Sequence, residues 1–247
     1  MKRLIAKWPL TTAILFCAAS TAWAAQTTTF TLTGVEQYQA QMGGVYTSPY
    51  VATIGGVTGI NVICDDFADD SYVPETWTTY VTSLPTVTTS SPVKWTGSGY
   101  GSAVNYSLSQ SDAYATAAYL AIELLGTDQS TQAGRTIAGE LSFAMWGLFD
   151  PNAYNSISGQ TLTDSQADLK AAIQNHGLLS SYTNVSLYSY DAAAGLPVGC
   201  GGTCGTPPQE FIVVNMPEPP SLAVLAVDLM GVLGLVVFFR WRRRSAR

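Results

Sequence analysis

Histidine is almost absent from this chain, and basic residues and cysteine are scarce over most of its 247 residues. With one histidine, His176, no multi-histidine metal site can be built, and a Ser-His-Asp triad would depend on that single residue. No Gly-x-Ser-x-Gly elbow accompanies it, and no phosphate-binding glycine loop is present. His176 falls at the predicted end of a helix, where a cation complements the helix dipole. Between residues 25 and 215 only Lys94, Arg135 and Lys170 are basic, against fifteen acids from Glu36 to Glu210, a net charge of −12. Such a balance excludes nucleic acid as a partner, because phosphate contacts need clustered Lys and Arg. No repeat of fixed period is visible, which disfavours a solenoid or propeller.

The four cysteines divide unevenly. Cys17 lies in an apolar N-terminal stretch. Cys200-Gly-Gly-Thr-Cys204 sits in a Gly/Pro-rich loop and suits a small disulfide in an oxidising compartment. Zinc is the rival for this pair, but two thiolates without a nearby histidine or further cysteine make a poor cage. Cys64 is then left without a partner.

What the chain does have is two informative ends. Lys2, Arg3 and Lys7 precede an apolar stretch from Pro9 to Ala19, and Ala22-Trp23-Ala24 fits a small-x-small cleavage site. Residues 1–24 are therefore expected to be a signal peptide, with the mature protein starting at Ala25. At the other end, Met216-Pro217-Glu218-Pro219-Pro220 leads into an apolar run over residues 222–239, then a basic tail over 240–247 with Arg240, Arg242, Arg243, Arg244 and Arg247. Eighteen residues at ~1.5 Å each reach roughly 27 Å, close to the ~30 Å of a hydrocarbon core. The arginines are expected on the cytoplasmic side.

This order of Pro217-Glu218-Pro219, short transmembrane helix and arginine tail resembles the PEP-CTERM sorting signal of Gram-negative bacteria. The resemblance implies transient anchoring in the inner membrane, cleavage by an exosortase, and a role at the cell surface or in an extracellular matrix of exopolysaccharide or biofilm. It covers residues 216–247 and says nothing about the domain in between. An ordinary single-span anchor is the alternative.

Residues 25–215 suffice for one extracytoplasmic domain with a real core. Thr27–Thr33 alternates Phe30 and Leu32 with threonines, and Tyr50–Ile54 and Val57–Ile63 flank Gly55-Gly56 as a hairpin. Trp77–Leu84 is another strand, and Thr86–Gly101 reads as a surface loop. The period then changes to a helical one. Tyr114, Ala117, Ala118, Ala121, Leu124 and Leu125 form one stripe behind a Ser111 cap. Ile137, Leu141, Ala144, Met145 and Leu148 form a second stripe, ended by Pro151. Thr163-Asp164-Ser165-Gln166 is expected to cap a third helix running to His176-Gly177. Val185–Tyr190 and Glu210–Val214 are late strands. The expected class is α+β: a mainly antiparallel β framework with two or three inserted helices, plus the C-terminal transmembrane helix.

Three features bear on chemistry. Asp65, Asp66, Asp69, Asp70 and Glu75 put five acids within eleven residues. Calcium takes six to eight oxygens in irregular loops, so Asp65, Asp66, Asp69 and Asp70 are candidate Ca²⁺ ligands. The spacing is not that of an EF-hand, and a solvated acidic loop explains it equally well. Paired carboxylates also suit a glycosidase. The aromatics Trp77, Tyr80, Trp95, Tyr100 and Tyr106 flank the Ser/Thr-rich loop and fit either sugar stacking or an ordinary core.

Finally, Tyr46-Thr47, Cys64-Asp65-Asp66-Phe67, Ala117-Ala118-Tyr119-Leu120 and the run Phe143–Pro151 resemble an ectodomain recurring among PEP-CTERM proteins, and the thioester domains of surface adhesins. That resemblance implies a thioester between a strand cysteine and a glutamine four residues before a helix tryptophan. Cys64 and Trp146 match, but Ser142 stands where the glutamine is required, and the nearest upstream glutamine is Gln132. The expectation is a non-enzymatic surface or matrix protein without a thioester, with exosortase and exopolysaccharide as partners. A secreted carbohydrate-active enzyme and a degenerate thioester adhesin are the alternatives.

Overall fold

The computed structural model describes residues 25–202, 204 and 207–215. The expected signal peptide (1–24), the Pro217-Glu218-Pro219 motif, the span 222–239 and the basic tail with Arg240, Arg242, Arg243 and Arg244 lie outside the described residues. Among the described residues no helix is long and apolar enough to cross a membrane.

The α+β expectation holds, and the antiparallel framework closes on itself. Strands β1 (Thr27–Val35), β4 (Tyr50–Ile54), β5 (Val57–Cys64), β6 (Glu75–Ser83), β7 (Val185–Tyr190) and β8 (Phe211–Val214) form a six-stranded barrel in the order β1-β4-β5-β8-β7-β6. Closure leaves no row of unpaired backbone groups at an edge. Period-two patterning fills the narrow interior: Phe30 stacks on Trp77 at 4.7 Å and on Phe211 at 5.1 Å. Trp77 is thus a core residue. Gly55 and Gly56 take φ of 57° and 88°, the left-handed pair that a tight two-residue hairpin requires.

A small hairpin, β2 (Gln41–Met42) with β3 (Val45–Tyr46), stands outside the barrel. Its turn residue Gly43 lies so close to α2 that a Cβ would sit 2.8 Å from the Phe143 ring. Only glycine permits that approach.

All three helices enter between β6 and β7. Helix α1 (Gln110–Leu125) is capped by Ser109, whose side chain accepts from the Asp112 N–H, two residues before the expected Ser111. Helix α2 (Gln132–Phe149) is capped by Thr131 and buries nearly all of its second half, including Phe143, Met145, Trp146 and Leu148. Ile137 departs from the predicted stripe and is exposed. Helix α3 (Gly159–Asn175) starts before the expected capping box, so Thr163 is internal and its hydroxyl donates to the Gly159 carbonyl. A Ser/Thr side chain bonding back one turn serves a helix interior as readily as it serves a cap, which is why the motif misplaced the boundary.

The segment expected as a surface loop is partly core. Val87 and Val93 are buried, and Trp95 stacks almost parallel on Phe149 at 5.1 Å. Its Ser/Thr/Gly content concealed three apolar anchors.

Candidate functional site

The end of β5 carries the chain from barrel wall into a polar junction with the helices. Glu210, immediately before β8, is its hub. Its carboxylate accepts from the Tyr114 hydroxyl at 2.7 Å, from the Lys94 backbone N–H at 2.8 Å, and from the Ser189 hydroxyl. These donors come from α1, the 86–101 segment and β7, so one carboxylate ties the helical layer to the barrel. Asp65 lies beside it, wholly buried, with no N–H or hydroxyl bonded to either oxygen and the Glu210 carboxyl as its hydrogen-bonding neighbour. Burial holds the Asp65 carboxyl well above the usual range, and repulsion from Glu210 and then Asp66 adds to this. The shift favours the protonated form of Asp65.

Cys64 is fixed on every side. Its N–H donates to Ser48 Oγ at 3.0 Å, and the Ser48 N–H donates to Ser142 Oγ at 3.2 Å. Ser142 Oγ in turn donates to the Ala138 carbonyl, while Trp146 Nε1 donates to the Cys64 carbonyl at 2.9 Å. The thiol donates to the Asp66 carbonyl at 3.0 Å, which also accepts from Gln209 Nε2 at 2.8 Å. Ser142 thus meets Cys64 only through Ser48. Burial first, then the carboxylates of Asp66 and Asp65, push the thiol well above its ordinary range. A buried, protonated thiol is a weak nucleophile.

The acids expected to share a calcium ion are divided instead. Lys94 Nζ bonds both Asp66 and Asp69 and stands between their carboxylates. Asp66 Oδ1 also accepts from the Ala68 N–H at 2.9 Å. Burial raises the Asp66 carboxyl to about 6, against the opposing pull of Lys94. Burial disfavours the Lys94 ammonium, but the two carboxylates outweigh it and raise its pKa. Asp70 is exposed and makes no ion pair among the described residues. Asp65, Asp66, Asp69 and Asp70 do not bring three ligand atoms to metal-binding spacing.

Among the described residues one group does have that spacing: Glu75, Cys200 and Cys204. Cys200 and Cys204 are bonded to each other, with Cα atoms 5.4 Å apart, so their sulfurs are not thiolates. Cys64 is free and buried. His176 caps α3, and its ring Nδ1 contacts the Gly177 carbonyl, in keeping with a terminal role.

On the solvent side of the same segment lies an open cavity of about 490 Å³. The rings of Tyr46, Tyr50, Phe67 and Trp146 line it, with Asp69, Asp70 and Gln209. Tyr46 comes from the β2–β3 hairpin, held in place by the Gly43 approach to α2. The Tyr50 hydroxyl donates to the Tyr46 carbonyl at 2.7 Å and fixes the hairpin to β4. Phe67 packs on Trp146 with centroids 5.2 Å apart. A second cavity of about 280 Å³ contains Tyr80, Lys94, Tyr190 and Glu210, and Asp69 borders both.

Of the aromatics singled out in the sequence, only Tyr80 reaches either cavity. Trp77 fills the barrel, and Trp95 and Tyr100 pack on Phe149. Tyr46, Phe67 and Trp146 stood in segments singled out by resemblance, but nothing local in the sequence placed them with Tyr50 around one cavity. Searches of protein-family models, curated proteins and solved structures matched nothing to this chain.

Proposed function

We propose that this is a non-enzymatic exported protein of the cell surface or extracellular matrix, anchored transiently in the inner membrane, released by exosortase, and retained by exopolysaccharide bound in the larger cavity. The observation that supports the binding role is the company of four aromatic rings with polar side chains in one open cavity. Sugar rings present apolar C–H faces to aromatics and hydroxyls to carboxylates and amides, so such a lining suits a saccharide. The sorting role rests on the tripartite end of the sequence. Asp228 within the apolar run costs roughly 2.5–3.5 kcal/mol at a helix centre and leaves the span marginal, as befits a removable anchor. In a host with an exosortase, the mature C-terminus should lie near Glu218. Surface fractions containing only chains that retain Arg247 would overturn the sorting role. Failure of the full chain, in detergent, to bind any neutral, acetylated or amine oligosaccharide would overturn the binding role.

A second reading, a carbohydrate-active enzyme, draws on Asp65. Burial and the nearby Glu210 raise its carboxyl pKa, and Glu210 borders the smaller cavity. Glycosidases pair a proton-carrying carboxyl with a second carboxylate. Release of reducing ends from polysaccharide, abolished by Glu210→Gln, would favour this reading.

A further inference from the structure

Resting on the saccharide role, we infer that the larger cavity selects a sugar bearing an ammonium group, with Asp70 as the carboxylate that receives it. Two acids and no base line this cavity. Lys94, the nearby cation, is engaged by Asp66 and Asp69 and lines the neighbouring cavity. Asp69 therefore already shares an ammonium with Asp66, whereas Asp70, one residue on, is exposed and without an ion pair among the described residues. A neutral sugar leaves that charge unused. An anionic one meets Asp70 directly, and behind it a domain of net charge −12.

The cavity wall makes the charge more effective than an ordinary surface aspartate. Val35, Val45, Val73 and the rings give the open cavity apolar walls, and less polar surroundings strengthen attraction between an ammonium and a carboxylate. Tyr46 and Phe67 also line the cavity, and aromatic rings attract a cation placed over a face. At the lip, Gln39 holds φ of 44°, a left-handed backbone that a non-glycine residue adopts at a cost. Such costs gather where side chains must be placed for binding.

The test is calorimetric titration of the full chain, in detergent, at mildly acidic pH where sugar amines are charged. The probes are a β-linked glucosamine oligomer, its N-acetylated counterpart, a glucose oligomer and an oligolysine of equal charge. The glucosamine oligomer should bind about tenfold tighter than the acetylated one, the worth of one charge-assisted hydrogen bond. Asp70→Asn should erase that preference, so that the amine and acetylated oligomers bind alike, while Tyr46→Ala should weaken both. Equal binding of all three sugars would overturn the ammonium preference and leave the saccharide role standing. No binding by any sugar would overturn both. Oligolysine binding as tightly as the amine sugar, indifferent to Tyr46→Ala, would show charge attraction alone and overturn the inference.

Discussion

The eight residues from Ile63 to Asp70 face two different environments, and the contrast separates what holds this fold from what meets solvent. Cys64, Asp65 and Asp66 are buried, with the Asp66 carboxylate held by backbone N–H groups and Lys94. A few residues on, Asp69 borders two cavities and Asp70 stands exposed. Carboxylates of one loop thus do opposite work. Inside, each is neutral or paired, because an unpaired buried charge is too costly. Outside, Asp70 is exposed beside an aromatic-lined cavity and has no ion pair among the described residues. Proximity in sequence does not make five acids one site.

The largest effect is expected from the inner side. Glu210→Ala would strand the Tyr114 hydroxyl, the Ser189 hydroxyl and the Lys94 N–H together. A loss of about 3–5 kcal/mol in urea unfolding is expected, since each buried donor left unsatisfied costs ~1–3 kcal/mol. A loss below about 1 kcal/mol would mean that the junction does not hold helices to barrel.

Next comes pH. Asp66 has its carboxyl raised from 3.8 to about 6, so the folded state binds more protons than the unfolded state between those values. Stability should therefore fall as pH rises through this window, by roughly 2–3 kcal/mol from Asp66 alone. Asp65, whose carboxyl is also raised by burial, acts in the same direction. Removing the acid with Asp66→Asn should flatten the lower part of the profile. A domain that gained stability from pH 4 to pH 7 would contradict the buried placement.

A smaller perturbation is chemical. In the exported chain, expected to lack residues 1–24 and so Cys17, native unreduced protein should leave Cys64, Cys200 and Cys204 unlabelled by alkylating reagents, and denaturation without reductant should expose one thiol. Two or three labelled thiols would break the assignment. Intact mass should also show no loss of ammonia and no methylamine adduct, because Ser142 has no carboxamide to acylate Cys64. An adduct on any glutamine would turn the reading toward a covalent adhesin.

The smallest stability effect belongs to the outer side. Asp70→Asn should stay within about 0.5 kcal/mol of the unaltered chain, as expected for an exposed residue without an ion pair.

Much of the framework was legible in the sequence because period-two and period-3.6 patterning records which face is buried. The Gly55-Gly56 hairpin and the three helices between β6 and β7 follow from those periods. Barrel closure did not, since β5 pairs with β8 across nearly 150 residues and no local pattern records such pairing. The Ser111 and Thr163 caps missed because several Ser and Thr stand near each helix start; geometry selects Ser109 at α1, and α3 begins after Ser158 with no side-chain cap bond. The site was legible in one half only. Cys64-Asp65-Asp66 stood out by composition, whereas the cavity draws Tyr46, Phe67, Trp146 and Gln209 from separate segments. Lys94, the lone cation of that neighbourhood, gave no sequence signal that it would divide the acids between two surroundings.

The most direct measurement follows backbone amide signals of the isotope-labelled full chain, in detergent, during titration with the glucosamine oligomer. Shifts should concentrate at Tyr46, Phe67, Asp70 and Gln209 and leave Tyr80, Ser189 and Tyr190 unmoved. Shifts centred on Tyr80 and Tyr190, or no shifts at all, would contradict the division between a buried half that holds the fold and an open half that binds.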